Sequence, residues 1–310
     1  RIGCFGLTET NAGSDVQGAQ TTAVKDGDEW IINGSKIFTT NSGFADTCIV
    51  FALTDRSVPA AKGMTAFIVD LKDTPGVTVS ENIERMGIRA ASNCIVSYDN
   101  VRVSADRQLG QVGKGFKIAM GALDCGRIGI AAQAVGIAQG ALNEAIKYGK
   151  ERKQFGKPIN SFQNTQFKMA ELQTKIDAAR LMTWRAAVAE DNHEAFGPLA
   201  AMAKLMASDV ANETTRACVQ FMGGYGYCPD YPGLACGGPI VTAQTVAPYF
   251  SLSCTAASTA FASRGFIVVW TPSRLRLPVF GSSFTSSVSG TCLTNTRIFM
   301  VLPSPFIRCK

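Results

Sequence analysis

Acidic residues run out early in this chain. All 24 Asp and Glu lie at or before Asp230. Six of the 30 Lys and Arg (Arg264, Arg274, Arg276, Arg297, Arg308 and Lys310) fall in the acid-free end. Before it 24 bases meet 24 acids, so the formal charge of +6 belongs to that end alone. A cationic surface this sparse excludes the footprint of a nucleic-acid binder. Histidine is reduced to His193, in a polar loop, and none of the ten cysteines forms a C-x-x-C pair. No metal site is expected. The chain is too long to need disulfides, so Cys48, Cys94, Cys125 and Cys218 read as buried, reduced thiols. Charge is missing altogether from 231 to 263, but Pro239, Pro248 and many hydroxyls interrupt that run and argue against a membrane span. The opening residues do not read as a signal peptide, and none is expected. It starts at Arg1 and runs straight into Cys4-Phe5-Gly6-Leu7, so it reads as a piece of something longer.

What is present suffices for two cores: 310 residues, 46% of them hydrophobic. Up to about Asp106 the text is β. Thr21-Thr22-Ala23-Val24 and Trp30-Ile31-Ile32 flank the turn Asp26-Gly27-Asp28-Glu29. Asn33-Gly34 is a second turn signal, followed by a strand over Lys36-Ile37-Phe38-Thr39-Thr40. Further strands are expected at Cys48–Leu53, Met64–Val69 and Cys94–Tyr98. Near Gly113 the period changes. From Phe116 to Arg152 the chain is rich in Ala, Ile and Leu, and Ile137, Ala141, Leu142, Ala145 and Tyr148 share one helical face. Arg152 and Lys153 are expected in its last turn, with Gly156 and Pro158 as the stop. Ser161–Glu190 and Leu199–Met222 make two more helices, with Asn192 to Pro198 as the loop between them. The fold class is therefore α+β: a β-barrel or sandwich domain, 1–108, followed by an antiparallel helical bundle, 109–232. The end, 233–310, has neither caps nor periodicity and is expected to be disordered or frameshifted. Gly110-x-x-Gly113-x-Gly115 follows no βαβ pattern and is not a dinucleotide fingerprint.

Two runs stand out. Gly6-Leu7-Thr8-Glu9-Thr10-Asn11-Ala12-Gly13-Ser14-Asp15 combines Gly with small hydroxyl residues, which lets backbone approach a planar or phosphorylated ligand. Alone it would pass for a turn-rich loop. More than 200 residues later comes Gln220-x-x-Gly223-Gly224-x-Gly226-Tyr227. Together, and in this order, they resemble the two signatures of the acyl-CoA dehydrogenase family, nearest its short-chain, butyryl-CoA type. The resemblance covers about Arg1 to Pro232.

The resemblance implies FAD as cofactor and an α,β-dehydrogenation of a short-chain acyl-CoA, with electrons passed to an electron-transfer flavoprotein. By the same resemblance Phe5, Leu7 and Thr8 lie along the flavin, and Gly13 and Ser14 near its phosphate and the acyl-CoA. Phe38 shields the flavin, with Thr39 beside it and Thr40 on its reactive edge. Asp124 and Arg127, three apart on a helix, border the substrate; as residues alone they read equally as a surface ion pair. Arg152 reaches the FAD pyrophosphate of a neighbouring subunit, a task that suits its rigid fork of donors. Gln163, Gln220, Gly223 and Gly224 adjoin the same cofactor end, so a homo-oligomer, dimer or tetramer, is implied. The compartment implied is cytoplasmic in a bacterium and the mitochondrial matrix in a eukaryote.

Two departures matter. Short-chain relatives draw their base from an Ile-Tyr-Glu-Gly-Thr run beyond the second signature, and here the pattern breaks at Gly233. Some branched- and long-chain relatives carry the glutamate where this chain has Gly126. No catalytic residue is therefore assigned. The helical domain that precedes the first signature in the family is also expected to be missing. The expectation is a family enzyme whose own turnover is absent; the alternatives are a non-catalytic flavin- and CoA-binding scaffold or a non-functional truncated product.

Overall fold

The computed structural model of the chain describes residues 2–85, 88, 90–228, 267–269 and 299–301. Eight strands form one mixed sheet: β1 (Gly3–Gly6), β2 (Thr22–Asp26), β3 (Glu29–Thr40), β4 (Thr47–Leu53), β5 (Met64–Asp70), β6 (Val77–Val79), β7 (Asn93–Ser104) and β8 (Gln108–Leu109). Their order is β6-β7-β3-β2-β4-β5-β8. β1 lies parallel on β4, with Cys4 opposite Cys48 and Gly6 opposite Val50.

Side-chain alternation assigns each strand two faces. On β4, Cys48, Val50 and Ala52 join Trp30, Ile32, Phe67, Val69, Tyr98 and Val101 in the interior of the sheet domain. Ile49, Phe51 and Leu53 point the other way, toward Phe5, Leu7, Met64 and Ala66. This second layer closes against the first turns of a helix, where Phe116, Ala119 and Met120 pack. Fully buried Phe51 and Phe67 each stabilise the fold by about 1.5–3 kcal/mol relative to exposure.

That helix, α2, runs unbroken from Gly115 to Glu151; a single turn, α1 (Ala60–Gly63), precedes β5. α2 joins both halves of the molecule. Its first turns cover the sheet. From Ile128 to Ala145 it forms the centre of a bundle with α3 (Gln163–Asp191) and α4 (Gly197–Met222). Small residues such as Ala131, Ala138, Ala179, Ala186, Ala203 and Ala207 let the helices approach closely. By length and composition α2 is apolar enough to cross a membrane; here that apolarity serves the core. The glycine run before it is structural. Gly110 and Gly113 sit at φ 72° and 75°, and a Cβ on Gly115 would fall 2.6 Å from the Thr65 backbone.

Three local expectations are corrected. Asn33-Gly34 is not a turn: β3 continues through it, and the irregularity is a bulge on β7 at Asn100, whose N–H donates to the Asn33 Oδ1 at 2.8 Å. A Gly is needed all the same, because a Cβ at Gly34 would lie 2.5 Å from the Thr21 Oγ1. Next, α2 ends at Glu151, one residue before Arg152, and Lys153 lies outside it in a hairpin of Lys153–Gln154 with Lys157–Pro158. The tip residues Phe155 and Gly156 sit at φ 50° and 78°, as both centres of a type I′ turn require. Finally, Ile137 and Tyr148 are only half-buried; the stripe that meets the bundle centres on Ala134, Ala138, Ala141 and Ala145. Cys4, Cys48, Cys94, Cys125 and Cys218 are buried thiols. The expectation for 233–310 falls outside the described residues, save for an antiparallel pair of Ile267–Val269 with Phe299–Val301.

Candidate functional site

β1 delivers the first signature to the layer between sheet and helix. Phe5 and Leu7 bury their side chains there, Phe5 with its ring centroid 5.0 Å from that of Phe51. What these two can offer a ligand is therefore main chain. Thr8 is half-buried at the strand exit. Glu9 and Ala12 then exchange two backbone hydrogen bonds of 3.1 Å, which turns the chain back and presents Gly13, half-buried, and Ser14, exposed.

The first signature is fastened to β3. The Ile37 N–H donates to the Thr8 carbonyl at 2.9 Å. The fully buried Lys36 ammonium donates to the Leu7 carbonyl at 3.2 Å and to Glu9 Oε1 at 2.7 Å. Burial pushes the Lys36 pKa down against the pull of Glu9. For Glu9 burial acts upward, but the Lys36 charge and the hydrogen bonds from Lys36, Gln20 and Thr21 outweigh it and hold the carboxyl below its ordinary range.

Beyond Lys36 the β3–β7 register slips by one residue, and Phe38 takes φ 55°. That conformation is unusual for a bulky residue and costs about 1–2 kcal/mol. Strain of this kind gathers at binding sites. Thr39 is buried, with no hydrogen-bond partner for its hydroxyl. Thr40 pairs with Asn93 across the ladder. The Asn93 Oδ1 and the Asn41 Oδ1 are also buried without partners. Orphaned polar atoms beside a strained aromatic are what a site lacking a hydrogen-bonding ligand should show.

On α2, Asp124 and Arg127 form an ion pair one helical turn apart. Gly126 between them is buried. The first residue of α4 approaches one side of the pair: a Cβ on Gly197 would be 3.7 Å from the Asp124 Oδ2. Burial, with Arg127 adding its repulsion, lowers the pKa of Lys204 on α4.

The second signature builds a separate cavity of about 520 Å³, lined in part by Tyr148, Arg152, Gln220, Gly223, Gly224 and Tyr225. Gly223 adopts φ 59°, and a Cβ on either Gly223 or Gly224 would meet nothing within 4 Å. The Arg152 guanidinium lies 5.8 Å from the Tyr225 ring centroid, and Tyr225 meets Tyr148 edge-on. Four residues expected at one cofactor end, Arg152, Gln220, Gly223 and Gly224, thus line one cavity. Gln163 is exposed at the start of α3 and does not line it. A cationic fork, open backbone at two glycines and an aromatic wall suit a phosphorylated, planar ligand.

Residue reading missed the Lys36–Glu9 pair, Asn41 and Asn93, and the Tyr148–Tyr225 wall. Lys36 did leave a signal. It continues the inward phase of Trp30 and Ile32, and a lysine in that phase demands a buried partner.

The acyl-CoA dehydrogenase middle-domain profile matches residues 4–101, and the acyl-CoA dehydrogenase C-terminal-domain profile matches 113–236. A chain in the solved structure of the electron transferring flavoprotein of Acidaminococcus fermentans is 46% identical, with a TM-score of 0.75 over 83% of this chain and 67% of that one. The chain belongs to the acyl-CoA dehydrogenase family. The short-chain specific acyl-CoA dehydrogenase of Megasphaera elsdenii is 49% identical over 233 residues, 75% of this chain and 60% of that protein. The mitochondrial short-chain enzyme of Mus musculus is 46% identical over 75% of this chain and 56% of its own length. The solved butyryl-CoA dehydrogenase of Megasphaera elsdenii superposes with a TM-score of 0.74, at 47% identity over 78% of this chain and 63% of that one. The chain thus spans less than two thirds of the curated relatives it matches. The C-terminal match reaches residue 236, a little past the break placed at Gly233.

Proposed function

We propose that this chain carries the FAD- and acyl-CoA-binding parts of a short-chain acyl-CoA dehydrogenase, over 1–108 and 109–232. The observation that carries the reading is the single cavity shared by Arg152, Gln220, Gly223 and Gly224. The strained, polar-orphaned end of β3 beside Thr8 supports it from the other side of the sequence. FAD, when bound, supplies the acceptor for the hydride that leaves the acyl β-carbon. The protein's own residues divide the rest. The Thr8 and Thr40 hydroxyls would hold the flavin, Phe38 would shield it from water, and Ser14, Asp124 and Arg127 would receive the CoA thioester. Arg152 and Gln163 serve the cofactor of a second copy, so the binding unit is at least a dimer. An electron-transfer flavoprotein takes up the electrons, in the matrix of a mitochondrion or the cytoplasm of a bacterium.

The same residues favour a second reading, a scaffold that binds flavin and CoA without turnover. Position 126 is glycine and no Asp or Glu follows Asp230, so the chain lacks the base at both family positions. A positioned base contributes about 10²–10⁴-fold. The test is anaerobic mixing of the FAD-loaded 310-residue chain with butyryl-CoA. The expected result is a perturbed flavin spectrum without bleaching. Rapid bleaching would show that another residue serves as base, and failure to retain FAD would remove both readings.

A further inference from the structure

We infer that Lys36 and Glu9 form the positioning pair of the flavin site, setting the first signature and the Phe38–Thr40 run at the separation a flavin needs. This rests on the flavin reading above. The Lys36 ammonium lies in the protein interior with two partners, the Leu7 carbonyl and the Glu9 carboxylate. Glu9 in turn accepts the Gln20 N–H at 2.6 Å and the Thr21 N–H at 3.0 Å. One buried pair therefore ties the exit of β1, the entry to β2 and the middle of β3.

Thr8 sits between the two residues that Lys36 binds, and its own carbonyl takes the Ile37 N–H. Phe38 follows at once in its strained conformation. The placement of the Thr8 hydroxyl relative to Thr40 is thus fixed by bonds at Leu7, Thr8 and Glu9 on one strand and at Lys36 and Ile37 on the other. Gly6 makes room for the device: a Cβ there would stand 3.3 Å from the Lys36 Cγ and 3.1 Å from the Cys48 Sγ.

Stability alone does not call for an ion pair here, since a buried pair is commonly replaced by apolar residues without loss. What hydrocarbon could not do is satisfy the Leu7 carbonyl and the Gln20 and Thr21 N–H groups, and so hold their directions. The pair fixes geometry at the point where the first signature meets the Phe38–Thr40 run.

The experiment uses the 310-residue chain with FAD as probe and compares wild type, Glu9→Gln and the double variant Lys36→Met/Glu9→Gln. Circular dichroism and thermal unfolding report the fold; titration reports affinity; the shape of the visible flavin band reports its surroundings. The expected result is a double variant that folds, binds FAD at least about tenfold more weakly and loses the fine structure of the bound-flavin band. Should the double variant not fold, Glu9→Gln carries the same test, since it keeps the side-chain size while turning one acceptor oxygen into a donor against the Gln20 or Thr21 N–H and leaving the Lys36 charge without its counter-ion. A folded variant with wild-type affinity and band shape would reduce the pair to a core contact and overturn the inference. A wild-type chain that binds no FAD would instead overturn the flavin reading and this inference with it, a result distinguishable from the first.

Discussion

At the scale of single residues, Gly126 decides the most chemistry. It is buried on α2 between the paired Asp124 and Arg127. Gly126→Glu places a carboxylate where branched- and long-chain relatives are expected to have one. The expected outcome is that the FAD-loaded variant is bleached by an acyl-CoA while the wild type is not, by the roughly 10²–10⁴-fold a positioned base contributes. Stopped-flow absorbance checks it, and equal inertness of both proteins would place the defect elsewhere. Residues differ in how far the text betrays them. Arg152, Gln220, Gly223 and Gly224 were grouped by the family resemblance and not by their own chemistry, since glycines at a helix end read equally as a C-cap. Gly34 was legible as special but not as what it is, because Asn-Gly signals a hairpin and a bulge equally. Lys36 and Glu9 were hidden by charge, which in a sequence reads as surface until strand phase is followed through β3.

At the scale of elements, periodicity fixed the two classes of structure and misplaced their ends. β4, β5 and the three long helices lie where hydrophobic pattern puts them. The end of α2 does not, because Arg152 and Lys153 suit a helix terminus as well as they suit the hairpin that follows. That hairpin projects Phe155, 93% exposed, beside the Arg152 cavity. The packing of α2 yields a prediction of its own. Its bundle face is built of alanine, and Ala138 is completely buried at the centre of the stripe. Ala138→Leu adds volume that the close helices lack, and is expected to lower stability by about 1–3 kcal/mol. Ala132→Leu, on the exposed face of the same helix, is expected to stay within about 0.5 kcal/mol of wild type. Urea unfolding of both variants checks the pair; equal losses would mean that the bundle tolerates expansion.

At the scale of the whole molecule, two collective properties follow from the same residues. The first is acid stability. Glu9 is held below its ordinary value of 4.5 in the folded chain. Between the folded and unfolded values the unfolded chain binds more protons, so stability rises with pH there; it is fully present above about 4.5 and lost as pH falls through the folded value. Lys36, held below 10.5 by burial, adds stability that rises with pH toward that value, so it does not offset the acid loss. Asp46, Glu171 and Glu213 are lowered as well, so the measurement is a difference. The urea midpoint of wild type is expected to fall more steeply below pH 4.5 than that of Lys36→Met/Glu9→Gln, and parallel curves would show that the pair is not linked to folding. The second property is assembly. Phe167, Leu181, Trp184 and Val188 recur at near-integral helical turns along α3, each more than half exposed among the described residues, with Met202 and Leu205 exposed on the adjacent α4. Among the described residues this stripe lies outside the Ala-rich core, as a contact face for a second copy would. The proposed cofactor contacts of Arg152 and Gln163 reach across to a second copy, so apolar association and FAD binding should be coupled. The chain is expected to sediment as a dimer or larger, and Leu181→Glu/Trp184→Glu to shift it toward monomer by placing two charges in the contact. Because the Arg152 cavity then loses the copy it serves, FAD affinity is expected to fall together with the association state and to recover at high protein concentration. Analytical ultracentrifugation with parallel FAD titration separates the outcomes: a monomeric variant that binds FAD as tightly as wild type would place the whole cofactor site within one chain.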